Sequence, residues 1–170
     1  MTIDVVERFL ALPSDQNSWS DEDWQLLFDR NTFFTVCSGA EIYETLEQLN
    51  NLLPVEYILT SSSASSKNIA GYTDEITCHG MTLDVPYIGS RDDSLIAVLT
   101  INELIGSEFD IRLSYESLGN SDHSFLPVPH SVWLELEAKF GNELVHKKFI
   151  SLPKTWLELE QEFTRRAAQP

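Results

Sequence analysis

The sequence predicts a single-domain α+β protein, in which a largely antiparallel sheet of about five strands is covered by helices from both ends of the chain. Apolar residues recur at helical spacing near both termini, whereas strand-like alternation dominates from Glu75 to Glu116. The chain has 170 residues and is 42% hydrophobic, which is the usual size of one domain with its own core.

Two helices are expected near the amino terminus. Residues 3–12 place most of their apolar side chains along one helical face, and Pro13 should end that helix. A second helix should begin at Ser20, because its hydroxyl can accept a hydrogen bond from a free amide of the first turn. The three acids at 21–23 follow, where they would meet the positive end of the helix dipole.

The next segment predicts a strand, a helix and a second strand. Residues 31–37 are rich in aromatic and β-branched side chains, which favours a strand. Ser38 with Glu41 three residues later predicts a capping box, and the apolar spacing after it predicts a helix that ends at Pro54. Residues 55–60 then favour another strand.

The middle of the chain is expected to form a mobile loop followed by a meander. The serine-rich stretch 61–68 is too small and polar to pack, so it predicts the loop. Strand-like runs at 75–88, 94–104 and 109–117 are separated by turn-forming residues, and short connections favour antiparallel neighbours. The run at 94–104 should be central because it is the most apolar, and 118–129 should be a loop.

The string Trp-Leu-Glu-Leu-Glu occurs twice near the carboxyl terminus, at 133–137 and 156–160. In each copy the Trp, the second Leu and a following Phe fall at steps of three and four, which predicts an amphipathic helix packed on the sheet. Pro129 and Pro153 precede the copies, where the start of a helix tolerates proline. Residues 142–152, between the copies, are expected to be a strand or an irregular crossing.

Charge is the most informative bulk property, and it is unevenly distributed. The net charge is −16, and residues 1–110 hold 19 of the 27 acids but only 4 of the 11 bases. Such a field repels nucleic acid and anionic membranes and accelerates encounter with a basic partner. The alternative is that the acidity only maintains solubility.

The compartment expected from the sequence is the cytoplasm. No apolar run approaches the roughly 18 residues of a membrane span, and the amino terminus carries Asp4 rather than a basic leader. Cys37 and Cys78 are the only cysteines, which does not suggest a disulfide framework.

The leading hypothesis is a non-enzymatic acidic binding protein without a cofactor. It would be an inhibitor or immunity-type protein that covers a basic surface of a partner such as a nuclease toxin. Its carboxylates would occupy the positions of the nucleic-acid phosphates that the nuclease binds. A related version is an acidic chaperone for a secreted effector. The predicted partner-binding residues are Asp21, Glu22, Asp23, Asp92 and Asp93, with Trp19 as an apolar anchor.

The alternative hypothesis is a small hydrolase, with or without a metal ion, that uses His79, His123 or His130 with an acidic residue. No two histidines have the three- or four-residue spacing of a helical metal site. Cys78 precedes His79, but adjacent side chains of a strand point to opposite faces, which argues against a thiol–imidazole pair. The sequence leaves these alternatives and the oligomeric state open.

Overall fold

In a computed structural model, which describes residues 3–65, 71–118 and 120–168, the chain forms seven α-helices and seven strands. The helices are α1 (Ile3–Ala11), α2 (Asp21–Gln25), α3 (Ile42–Asn50), α4 (Asp93–Ile105), α5 (His130–Phe140), α6 (Asn142–Lys148) and α7 (Trp156–Ala167). The strands are β1 (Phe34–Cys37), β2 (Thr60–Ser65), β3 (Tyr72–Cys78), β4 (Met81–Asp84), β5 (Phe109–Ser114), β6 (Asp122–Pro129) and β7 (Phe149–Ser151). The predicted α+β class is confirmed, with the strands divided between two antiparallel sheets.

The larger sheet has the strand order β1-β6-β5-β7 and lies between two hydrophobic cores. Along β6, Phe125 points into one core, whereas Leu126 and Val128 point into the other. This is the alternation that a strand buried on both faces requires. Phe125 also stacks on Phe34 of β1, with ring centroids 5.2 Å apart.

We name the two cores after their central elements. The α4 core contains side chains of α3, α4, the larger sheet and the smaller sheet, whose strand order is β2-β3-β4. The Trp133 core contains Phe9, Leu27, Phe33 and Phe149 around Trp133. The acid-rich middle of the chain therefore packs mainly in one core, and the two ends of the chain supply most of the other.

The predicted central strand at 94–104 is wrong, because these residues belong to helix α4. Ten of the 13 residues of α4 are buried, so the helix is apolar on nearly all sides and shows no amphipathic pattern. Periodicity cannot distinguish such a helix from a buried strand. The length of the run at 94–104 favours a helix, because buried strands are usually shorter.

The predicted loop at 118–129 is also wrong in its second half, where β6 is an inner strand of the larger sheet. Prolines at 127 and 129 are unexpected in an inner strand, because proline cannot donate to a ladder. Strand β1 pairs only with Asp122–Phe125, so the two prolines have β5 alone as a neighbour. At these two positions β6 therefore forms the edge of the sheet, and an edge strand tolerates proline.

The serine-rich stretch is partly a strand. Residues 61–65, predicted to be loop, belong to β2, which pairs with β3 in a register that sets Ser63 opposite Asp74. Residues 66–68 of the predicted loop lie outside the described residues. Small polar side chains are sufficient here because β2 is an edge strand with a neighbour on one side only.

Three further predicted segments differ in detail. Residues 55–60 form a 3₁₀ turn at Val55–Tyr57 before β2 begins, rather than a continuous strand. The run at 75–88 contains a hairpin of β3 and β4, with Gly80 and His79 at its turn in the left-handed region. The crossing at 142–152 contains helix α6 followed by the short strand β7.

The predicted helices near both ends of the chain are confirmed. Of the two predicted caps, Ser20 at α2 and the capping box at α3, the structure contains only the first. Ser20 accepts from the amide of Asp23 in a capping box at α2, as its position predicts. The capping box predicted from Ser38 and Glu41 is wrong, since Glu41 is the N-cap of α3 and makes no side-chain capping bond. The Ser38 hydroxyl instead donates to the carbonyl oxygen of Arg91, at 3.2 Å.

Candidate functional site: an acidic cleft

A cleft of about 450 Å³ opens between the start of α3, strands β2 and β3, and the start of α4. We call it the acidic cleft. Three carboxylates line it, each from a different element: Glu41 before α3, Asp74 on β3 and Asp93 on α4. None of the described residues that line it is Lys, Arg or His, so its carboxylates give it a negative potential.

Asp74 is the most buried of these carboxylates, with 5% of its surface exposed. One carboxylate oxygen accepts from the Tyr87 hydroxyl at 2.7 Å, and the other accepts from the Ser63 hydroxyl. Burial, followed by the bond to Asp74, raises the pKa of Tyr87 far above its usual range. The phenol therefore stays protonated and holds the Asp74 carboxylate in one orientation.

The amino-terminal turn of α4 supplies two more polar side chains. The Asp93 carboxylate accepts from the backbone amides of Ile88 and Gly89, at 2.9 and 3.1 Å. Ser94 follows, and it is among the residues that line the cleft although it is only 6% exposed. Its hydroxyl has no hydrogen-bond partner among the described residues. Buried hydroxyl groups are normally hydrogen-bonded, so this one indicates an unfilled polar contact.

Two tyrosines lie at the rim of the cleft. Tyr43 is 57% exposed and Tyr72 is 48% exposed. The charges of Glu44 and Glu41 raise the pKa of Tyr43. An exposed aromatic ring beside carboxylates is suited to a cation that has both charge and a flat or apolar part.

The acids predicted to bind a partner lie on two elements. Asp93 lines the cleft, and Asp92, which is half-buried, is the N-cap of α4. Asp21 and Glu22 are exposed in the first turn of α2, a helix associated with the Trp133 core. Asp23 caps that helix, and its bonds to the backbone and side chain of Ser20 lower the pKa of Asp23.

Trp19, the predicted surface anchor, is a member of the Trp133 core and is only 8% exposed. Its indole nitrogen donates to the carbonyl oxygen of Pro13 at 2.8 Å, and its ring lies 4.8 Å from the Trp24 ring. Contact with a partner would require this packing to open. The structure therefore assigns Trp19 to the interior of the chain.

The three histidines of the hydrolase hypothesis do not line the cleft. His79 lies at the β3–β4 turn against Tyr57, His123 lies on β6, and His130 begins α5 with its Nε2 atom 3.0 Å from the carbonyl oxygen of Gly106. Burial lowers the pKa of His123. Among the described residues, no group of three His, Cys, Asp or Glu side chains is arranged to hold a metal ion.

Cys78 is the last residue of β3 and is buried, whereas His79 lies at the turn that follows and is exposed. Burial raises the pKa of the Cys78 thiol, which disfavours the thiolate that a nucleophile needs. The two side chains therefore do not form the thiol–imidazole pair that their adjacency in sequence suggests.

Sequence reasoning missed most of the cleft. Asp74 precedes a predicted strand and Ser94 begins a run predicted wrongly as a strand, so neither had a local signal for a shared site. A signal was present in α3, where Glu41, Glu44 and Glu47 follow one another at three-residue spacing and are all exposed.

Comparison with known proteins finds no match: no family model, no curated protein and no solved structure matches the chain. Within the described residues, no helix has both the length and the apolar composition that crossing a membrane requires. The charge distribution and the acidic cleft are therefore the observations that support a functional proposal.

Proposed function

We propose that the protein is a non-enzymatic acidic binding protein that covers a basic surface of a partner protein, as an inhibitor or immunity-type protein would. One observation supports this proposal above the others. Among the described residues, no carboxylate from Asp15 to Glu108 takes part in an ion pair. The paired carboxylates are Glu7 and members of the segment from Asp110 to Glu162.

Carboxylates that form no ion pair within the described part of the chain can pair with the bases of another protein. Such complementarity accelerates association and makes it sensitive to salt. Helix α3 is the best-defined part of the acidic surface, because Glu44 and Glu47 flank the exposed ring of Tyr43. Tyrosine is enriched among residues that dominate interface energy. Asp21 and Glu22 extend the proposed surface beyond α3.

A nuclease toxin is a suitable partner, since its active site binds phosphates and carboxylates can occupy phosphate positions. We place the encounter in the cytoplasm, where such a toxin would reach nucleic acid. The protein would act by covering the basic surface and would catalyse no reaction itself.

The test is capture of partners on immobilised full-length protein from a lysate of its source cells, with elution in steps of NaCl. The variant Glu44→Gln/Glu47→Gln removes two charges beside Tyr43 and leaves the residues of the cleft unchanged. The matched control is Glu135→Gln/Glu160→Gln, which removes two exposed charges from α5 and α7.

We expect the wild type and the control to retain a basic protein that the α3 variant releases at lower salt. With that protein purified, the logarithm of the binding constant should fall linearly with the logarithm of the salt concentration. Retention that does not depend on salt, or equal retention by the two variants, would contradict the proposal.

A further inference from the structure

We propose that the acidic cleft binds the guanidinium group of an arginine side chain from the basic partner. This inference rests on the proposed function and specifies the group that is recognised and the place where it binds. Four residues support it: Ser94, Asp74, Asp93 and Tyr43.

The unpartnered hydroxyl of Ser94 is the first argument that the cleft holds a ligand. Ser94 is more than nine-tenths buried, it lines the cleft, and its hydroxyl finds no partner among the described residues. A buried polar group without a partner is costly, and the described part of the chain offers no compensating hydrogen bond here. A donor on the ligand would complete this hydrogen bond.

The buried charge of Asp74 is the second argument, and it specifies a cation. Asp74 is 5% exposed and takes part in no ion pair among the described residues. Tyr87 and Ser63 fix its two oxygens, as the amides of Ile88 and Gly89 fix Asp93. The carboxylates are thus oriented before a ligand arrives, which reduces the ordering cost of binding.

The two fixed carboxylates line the same cleft. Both Asp74 and Asp93 contribute to the raised pKa of Tyr87, so both charges act on the same phenol. A positive group near that phenol would interact with both carboxylates at once. Because Asp74 is only 5% exposed, its interaction with such a group would be stronger than at an open surface.

The distribution of acceptors favours guanidinium over ammonium. Acceptors come from α3, β3 and α4, and guanidinium presents five N–H donors in a planar fork that can reach several directions. The exposed rings of Tyr43 and Tyr72 at the rim can flank such a plane. The volume of about 450 Å³ lies in the range of sites for small organic groups, which is larger than one metal ion requires.

The test is a titration of the ¹⁵N-labelled full-length protein with N-acetyl-arginine amide, followed by NMR. The matched probes are the citrulline analogue, which is nearly isosteric but neutral, and the lysine analogue. We expect shifts at the amides of Asp74, Asp93 and Ser94, and an affinity for the arginine probe about tenfold higher than for either analogue, as charge-assisted bonds imply.

The variant Ser94→Ala tests the hydroxyl without breaking any internal hydrogen bond. It should weaken binding of the arginine probe by about tenfold. The matched control is Ser124→Ala, because Ser124 also has a buried hydroxyl without a partner but lies on β6, outside the cleft. Ser124→Ala should leave the affinity unchanged, and thermal unfolding checks that both variants are folded.

Absence of shifts around the cleft, equal binding of the citrulline or lysine analogue, or equal affinities of the two serine variants would overturn the assignment. Free arginine that binds more tightly than an arginine-containing peptide would indicate a small-molecule site and would also overturn it. The two proposals fail separately. Probe binding without salt-dependent capture of a partner contradicts the proposed function, whereas capture without probe binding contradicts only the arginine site.

Discussion

The segments 15–108 and 110–162 use their charges in opposite ways. In the first, carboxylates lie at the surface or in the cleft without ion pairs among the described residues. In the second, Arg112 lies between Asp110 and Glu137, at 2.7 and 2.8 Å, with its guanidinium 4.1 Å from the Trp133 ring. Charges of the second segment therefore stabilise the fold through ion pairs, whereas the carboxylates of the first that are bound internally, such as Asp23 and Asp93, are held by hydrogen bonds instead.

The two Trp-Leu-Glu-Leu-Glu copies show the same contrast on a smaller scale. Both are helical, and in both the second leucine is buried at 1% exposure. Trp133 is buried too, and its indole nitrogen donates to the carbonyl oxygen of Asp110 at 2.9 Å. Trp156 is half-buried at the margin of the α4 core. The repeat is one packing pattern placed in two different environments.

The largest expected effect distinguishes these two tryptophans. Trp133→Ala should lower the free energy of unfolding by about 4 kcal/mol, because it removes a large buried ring. Trp156→Ala should cost about half as much or less, since its ring already contacts solvent. Urea denaturation of both variants measures the difference. Equal losses would show that the copies are equivalent and that the burial difference has no energetic consequence.

The second prediction concerns the buried pair of Lys148 and Glu116, whose charged atoms lie 3.2 Å apart. Lys148→Met should destabilise the protein by about 3 kcal/mol at neutral pH, because it leaves a carboxylate buried without its counter-ion. The double variant Lys148→Met/Glu116→Gln should recover much of that loss. Chemical denaturation of the two single variants, the double variant and the wild type gives the coupling between the residues.

The loss should also depend on pH with a defined sign. Burial raises the pKa of Glu116, and Lys148 opposes that rise, so removal of Lys148 leaves the folded-state pKa higher still. A raised carboxyl pKa favours folding at low pH, and this contribution disappears as the pH rises through the folded-state value. The deficit of Lys148→Met should therefore shrink when the pH is lowered from 7 towards 5. A deficit that does not change would contradict this assignment.

The sequence predicted those parts of the fold whose signals are local. Ser20 predicts α2, and the two Trp-Leu-Glu-Leu-Glu copies predict α5 and α7. Each of these signals, a capping residue or a periodic apolar face, lies entirely within the segment that forms the helix. Helix α4 and strand β6 were mistaken because their states depend on what covers them from other parts of the chain. The cleft was not predicted for the same reason. Asp74 and Asp93 line one cleft only after β3 packs on α4, although Asp93 itself was among the predicted binding residues.

The smallest expected effect is that of replacing glutamate by glutamine in segments 15–108 and 110–162. Glu44→Gln/Glu47→Gln should raise the free energy of unfolding by about 0.5 kcal/mol at low salt, because the repulsion among Glu41, Glu44 and Glu47 in a chain of net charge −16 outweighs the attraction of Glu44 to the amino-terminal end of α3. Glu162→Gln should lower it by a similar amount, about 0.5 kcal/mol, since Glu162 pairs with Arg165 and Arg166 at 2.6 Å each. Thermal or urea unfolding at low NaCl concentration measures both signs.

Salt provides the control for this comparison. In 1 M NaCl the Debye length is only about 3 Å, so both effects should decrease towards zero. Opposite signs at low salt that converge at high salt would show that the acids of α3 slightly oppose the fold they belong to. Residues kept at some cost to stability need another reason for their position, and a basic partner supplies one. If neutralising Glu44 and Glu47 destabilised the protein instead, those carboxylates would have a structural role, and the main support for the proposed binding surface would be lost.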